Sequence, residues 1–266
     1  MDEGWINVNG LNLRYLESGK EKKKDILFIH GLGSAADRWM KLPDELSSDF
    51  HSIAIDLPGF GESDKPKNLD YTINQFRDTV VSFLNEFPTP IEKITLIGHS
   101  LGGYIASEIA IQNPNYIQQL VLIDSSGMLE KPTPILEEYY EAAMNPTQEN
   151  VRKAFEKMVA DPKRIPSQLV DGFIRRINMP NAKKAFELTL VNSATTQIGL
   201  SRLREINPIP TLILWGVHDM VIPLEHSNFF KESINDSKLE IIKDAGHAPF
   251  AEKPDQVYQL LRNFLI

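Results

Sequence analysis

Six short, nearly unbroken apolar runs limit what this chain can fold into. Ile26-Leu27-Phe28-Ile29, Ser52-Ile53-Ala54-Ile55, Ile94-Thr95-Leu96-Ile97 and Leu120-Val121-Leu122-Ile123 come early. Thr211-Leu212-Ile213-Leu214-Trp215 and a weaker Leu239-Glu240-Ile241-Ile242 come late. A strand with one wet face alternates apolar and polar residues; a strand covered on both faces does not. These runs therefore read as strands with helices on both sides of the sheet. Helical patterns separate them. Thr72 is a candidate cap for a helix carrying Ile73, Phe76, Val80 and Phe83, and Leu101–Gln112 follows the third run. A final helix puts Val257, Leu260, Leu261 and Phe264 on one face. The alternation predicts an α/β fold with a mostly parallel central sheet. Ahead of it, Ile6 and Val8, then Leu11, Leu13 and Tyr15, flank Asn9-Gly10, the strongest short-range hairpin signal, so the sheet gains an antiparallel edge.

The strand pattern lapses between residues 127 and 207, where helix formers are punctuated by Pro132, Pro134, Pro146, Pro162, Pro166 and Pro180. Tyr139, Tyr140, Met144, Phe155, Met158, Phe173, Phe186 and Leu190 make this stretch too apolar for a disordered insert. It is expected to be a helical cap (127–207) inserted in a core formed by residues 1–126 and 208–266. Most of those side chains are expected to pack the cap onto the core, the rest to line a mainly hydrophobic pocket.

Composition excludes several kinds of chemistry. With no cysteine in 266 residues, disulfides, thiolate nucleophiles and cysteine-ligated metals are absent. A net charge of −8 argues against nucleic-acid partners, and Lys22-Lys23-Lys24 reads as a solvated turn. No apolar stretch reaches the roughly 18 residues of a membrane span. The acidic start, Met1-Asp2-Glu3, is unlike a signal peptide, so the cytoplasm is the expected compartment. Oligomeric state is left open by the sequence.

The chemistry lies at the strand ends. Gly98-His99-Ser100-Leu101-Gly102 stands directly between a strand and a helix. A serine on so sharp a turn projects its hydroxyl from the sheet, and the helix N-terminus aims N–H groups at developing negative charge. Such a serine needs a base, and the base needs an orienting carboxylate. Of the six histidines, His247 lies in the loop between the last strand and the last helix, where α/β sheets place their sites. Asp219, after Thr211–Trp215, is the preferred acid, because its strand should neighbour the one before His247. Asp124, after Leu120–Ile123, is the competitor, while Asp244 lies only three residues from His247. An oxyanion needs two backbone donors. Leu101 N–H follows the serine, and Leu32 N–H is offered by His30-Gly31-Leu32-Gly33.

With Asp56-Leu57-Pro58-Gly59-Phe60-Gly61-Glu62-Ser63, Trp215-Gly216-Val217-His218-Asp219 and Gly246-His247-Ala248-Pro249-Phe250, these motifs resemble the α/β-hydrolase superfamily. The likeness is to its capped branch of carboxylesterases and C–C bond hydrolases. The motifs run in the family's order and span nearly the whole chain, apart from the insert. The resemblance implies the α/β-hydrolase fold, a Ser100–Asp219–His247 triad, and a structural role for Asp56–Ser63. A serine at position 100 is unlike the aspartate of haloalkane dehalogenases and epoxide hydrolases of this fold. His99 and Ala248 depart from the asparagine and the aromatic residue common in C–C hydrolases. The expected activity is a serine carboxylesterase acting on a small-molecule ester without a cofactor or metal; a C–C bond hydrolase acting on diketone-type substrates and a small-molecule receptor are the alternatives.

Two further patterns need an account. Gly31-Leu32-Gly33-Ser34-Ala35-Ala36 fits a dinucleotide fingerprint, with Asp56 20 residues beyond Ala36. An oxyanion loop explains the glycines equally well, and the fingerprint leaves Ser100, Asp219 and His247 unexplained. His218, Asp219 and His226 offer metal-ligand types, but in no compact ligand motif.

Overall fold

Each apolar run is a strand in the computed structural model, which describes residues 1–39 and 41–266. The strands are β1 (Asp2–Val8), β2 (Leu11–Ser18), β3 (Asp25–Ile29), β4 (His51–Ile55), β5 (Ile94–His99), β6 (Ile117–Ile123), β7 (Thr211–Gly216) and β8 (Ser237–Ile242). They form one sheet in the order β1-β2-β4-β3-β5-β6-β7-β8. β2 is antiparallel to both its neighbours, and every pair from β4 to β8 is parallel. Asn9 and Gly10 carry the positive φ values, 51° and 85°, of the hairpin turn that the Asn-Gly pair signals.

Alternate residues of one strand feed two different cores. Leu27 and Ile29 of β3, Ile94 and Leu96 of β5, and Ile213 and Trp215 of β7 point to one face. Ile26 and Phe28, Ile97, and Leu212 and Leu214 point to the other. Both faces are dry, so the runs carry no polar alternation. β8 lies at the sheet edge and is only partly buried, which accounts for its weaker signal.

The core helices are α1 (Lys41–Leu46), α2 (Ile73–Asn85), α3 (Leu101–Gln112), α9 (His226–Ser233), α10 (Pro249–Glu252) and α11 (Pro254–Leu265). Thr72 and Gln75 close a reciprocal capping box at the start of α2. α11 buries Val257, Leu261 and Leu265, with Leu260 and Phe264 at its margin. Between β6 and β7 the chain forms α4 (Pro134–Met144), α5 (Gln148–Glu156), α6 (Ser167–Ile177), α7 (Ala182–Ala194) and α8 (Leu200–Leu203). The prolines punctuate this insertion as starts: Pro134 is the first residue of α4 and Pro166 precedes α6. Its interior is aromatic, Tyr139 meeting Phe186 edge-on at 5.0 Å and Phe173 at 5.4 Å. No helix among the described residues is long and apolar enough to cross a membrane.

One buried cluster makes stability pH-dependent. His51 bonds Asp25 through Nδ1 at 2.7 Å and Glu17 through Nε2 at 2.8 Å. Both nitrogens donate at once only in the imidazolium. Burial opposes that charge, but the two carboxylates outweigh it and raise the His51 pKa. A raised folded pKa gives stabilisation that is complete below the unfolded imidazole's value, about 6.5, and is lost as pH rises through the folded value. His51→Gln is therefore expected to cost about 1–3 kcal/mol at pH 5.5 and much less at pH 9. Urea melts at the two pH values check this; an equal cost at both contradicts it.

Candidate active site

The carboxyl ends of the parallel strands bring the chemically active groups together, where open α/β sheets hold their ligands. Ser100 follows β5 with φ 53° and ψ −118°, a strained backbone for a residue with a side chain. The turn fits because its neighbours have no Cβ. A Cβ on Gly102 would lie 2.0 Å from the Ile29 carbonyl oxygen, and one on Gly98 2.3 Å from that of Gly102. α3 begins at the next residue, so its first N–H groups face the serine.

His247 follows β8 and Asp219 follows β7, the strand beside it. His247 Nδ1 donates to Asp219 Oδ2 at 2.8 Å. The other carboxylate oxygen, Oδ1, accepts N–H bonds from Val221 at 2.8 Å and Ile222 at 3.0 Å. Among the described residues the His247 ring bonds only to Asp219, so Nε2 is free toward the cavity that His247 shares with Ser100.

Leu32 lines the same cavity. Its loop runs against the serine, since a Cβ on Gly31 would lie 3.1 Å from Ser100 Cβ. Neither Leu32 N–H nor Leu101 N–H donates to a backbone carbonyl among the described residues. Leu101 N–H directly follows the serine in the chain, and Leu32 and Ser100 line one cavity.

Asp124 is also close. Among the described residues, Asp124, Asp219 and His247 have ligand atoms within 4.8 Å of one another, whereas His218 and His226 stand outside this group. The set of metal-ligand types formed by His218, Asp219 and His226 in the sequence is therefore not brought together by the fold. Asp124 is fully buried; its Oδ1 accepts from Gly216 N–H at 2.8 Å, and no N–H donates to its Oδ2 among the described residues. Burial first, and the neighbouring Asp219 carboxylate second, push its pKa well above the carboxylate range. The shift favours the neutral form of Asp124, which spares the pair two adjacent negative charges.

Asp56, at the spacing of a ribose-binding carboxylate, is buried and occupied. Its oxygens accept from Ala36 N–H at 2.6 Å, Glu62 N–H at 2.8 Å and Arg14 at 3.2 Å. The carboxylate clamps one loop to another.

Several residues that hold the site escape a motif reading. His99 Nε2 donates to the His247 backbone carbonyl at 2.6 Å. Burial first, then the adjacent His247, holds the His99 pKa well down, and the ring stays neutral. Glu252 accepts from Gly246 N–H at 2.9 Å, Ala248 N–H at 3.3 Å and Ala160 N–H at 2.8 Å, tying the His247 loop to the insertion. Tyr139 donates to the Leu32 carbonyl at 3.3 Å. A cavity of about 500 Å³ lies between insertion and sheet, lined by Tyr139, Phe155, Met158 and Phe173 with Arg38, Arg164 and Arg176. The lining is mainly hydrophobic, as expected, and the three arginines stand among its polar residues.

Proteins similar to this chain in sequence or in fold are numerous. Lipase 1 of Psychrobacter immobilis is 28% identical over 97% of this chain and 83% of its own length. The 2-hydroxy-6-oxo-6-(2'-aminophenyl)hexa-2,4-dienoic acid hydrolase of Metapseudomonas resinovorans is 27% identical over 99% of this chain and 90% of its own. A meta-cleavage product hydrolase of Pseudomonas fluorescens IP01 superposes with a TM-score of 0.88 at 24% identity, covering 98% of this chain and 97% of that one, a likeness of fold. The family model for the alpha/beta hydrolase fold matches residues 25–254. The chain belongs to the alpha/beta hydrolase fold family.

Proposed function

We propose that this chain is a serine carboxylesterase that needs no cofactor. The observation that carries the reading is the His247 Nδ1–Asp219 Oδ2 bond of 2.8 Å, beside a serine held at φ 53° on the same cavity. Ser100 Oγ attacks the ester carbonyl while His247 Nε2 takes its proton and returns it to the departing alcohol. Asp219 holds the tautomer that keeps Nε2 unprotonated and stabilises the imidazolium as it forms. Leu32 and Leu101 N–H groups receive the oxyanion. Water, deprotonated by His247, then releases the acid. The helical insertion, residues 127–207, acts as the cap over the substrate.

Ester chemistry is favoured over C–C bond cleavage by His99 and Ala248, which stand where C–C hydrolases commonly carry an asparagine and an aromatic residue. Relatives named as a lipase and as a dienoic acid hydrolase match with similar identity, so both reactions belong in the test. p-Nitrophenyl acetate, butyrate and octanoate are to be assayed beside a vinylogous diketone acid. Ester turnover well above diketone turnover is expected. Diketone cleavage with negligible ester turnover would replace this reading with the C–C one, and stoichiometric binding without turnover of either would indicate a receptor.

A further inference from the structure

Two arginines in the cavity have no hydrogen-bond partner among the described residues. Arg38 comes from the turn Ala36–Trp39 after β3, with its guanidinium 5.8 Å from the centre of the Phe250 ring. Arg176 comes from α6, and its buried Nε is unpartnered. The other charged groups of the wall are engaged. Asp37 accepts two bonds from Arg14, at 3.0 and 3.2 Å, and Asp161 pairs with Arg164 at 3.2 Å. Glu252 is near enough to act on Arg38, but its oxygens hold three backbone N–H groups.

Both side chains are half-buried, and a guanidinium partly withdrawn from water without a partner carries a desolvation cost. Burial works against the Arg38 charge, yet arginine does not give up its proton in a protein. Both guanidiniums also act on the Tyr139 hydroxyl, favouring its ionised form against the burial that raises its pKa. Tyr139 donates to the Leu32 carbonyl, so the two cations lie beside the loop that faces the reacting carbonyl. A planar fork with five donors matches a carboxylate.

We infer that Arg38 and Arg176 form an anion subsite, one from the core and one from the insertion, and that the ester taken by this cavity carries a free carboxylate. The ester as substrate rests on the esterase reading; the subsite does not require turnover. Two substrate pairs test it: monomethyl glutarate against dimethyl glutarate, and 4-acetoxybenzoate against its methyl ester. They place the charge on the acyl and the alcohol side respectively.

Calorimetric binding to Ser100→Ala protein is expected to favour the charged member of one pair by about 10- to 100-fold. Adding Arg38→Met or Arg176→Met should shrink that preference to about twofold, with Arg38→Lys in between. Melting curves identify any variant that fails to fold, and the other arginine then carries the test. Equal binding within both pairs, or a preference that survives both arginine changes, overturns the subsite. Assays of the native protein on the same compounds separate the two readings. Preferential binding of a charged member without hydrolysis of any of the four leaves the subsite standing and removes the esterase. Hydrolysis without a charge preference does the reverse.

Discussion

Ser100→Ala is expected to lower kcat on p-nitrophenyl butyrate by about 10⁴- to 10⁶-fold and to leave the protein folded. The size follows from what is removed. Without Oγ no acyl-enzyme forms, and only the Leu32 and Leu101 N–H groups and substrate binding remain to assist attack by water. The side chain faces the cavity, and the turn's strain lies in its backbone, so alanine adopts the same φ of 53° at little extra cost. Steady-state kinetics with a melting curve of each protein check this. A variant within tenfold of native activity would remove Ser100 from the mechanism.

Asp219→Asn is expected to lower kcat by about 10⁴-fold, whereas Asp124→Asn should stay within about tenfold of native. An amide at position 219 can present its NH₂ to His247 Nδ1, which turns Nδ1 into an acceptor and puts the proton on Nε2. The ring can then no longer take a proton from Ser100. Asp124 is different because its buried carboxyl is already driven toward the neutral form, which asparagine copies while keeping the bond from Gly216 N–H. Equal losses in the two variants would mean that the carboxylates act as one unit. A larger loss at Asp124 would transfer the orienting role to it.

The sheet was legible because burial on both faces writes itself into sequence as runs such as Ile26–Ile29 and Leu120–Ile123, feeding two cores by turns. The hairpin and the Thr72 cap were legible for a local reason, since a turn and a capping box are completed within a few residues. Edge strand β8 was fainter because one of its sides is open. Ser100, Asp219 and His247 could be named as candidates because each lies in a segment that follows a parallel strand, Ser100 immediately after β5 and the other two in the loops after β7 and β8.

What supports the site was hidden by distance along the chain. His99 reaches the backbone of a residue 148 positions away, and Glu252 reaches Ala160 across 92. Neither bond leaves a local pattern. In sequence Arg38 is a polar residue between Asp37 and Trp39, and Arg176 falls on the polar face of an amphipathic helix. Their meeting in one cavity depends on how the insertion seats on the loop after β3, where a Cβ on Gly33 would lie 2.2 Å from the Tyr139 hydroxyl. Hydrophobic periodicity carries no record of that placement.

The most direct test of the central claim is to trap the acyl-enzyme. Native protein mixed with p-nitrophenyl butyrate and quenched in acid within milliseconds should gain the mass of one butyryl group. Peptide mapping should place it on Ser100, and Ser100→Ala protein should gain none. Rapid turnover with no serine adduct, or an adduct on another residue, would contradict the mechanism.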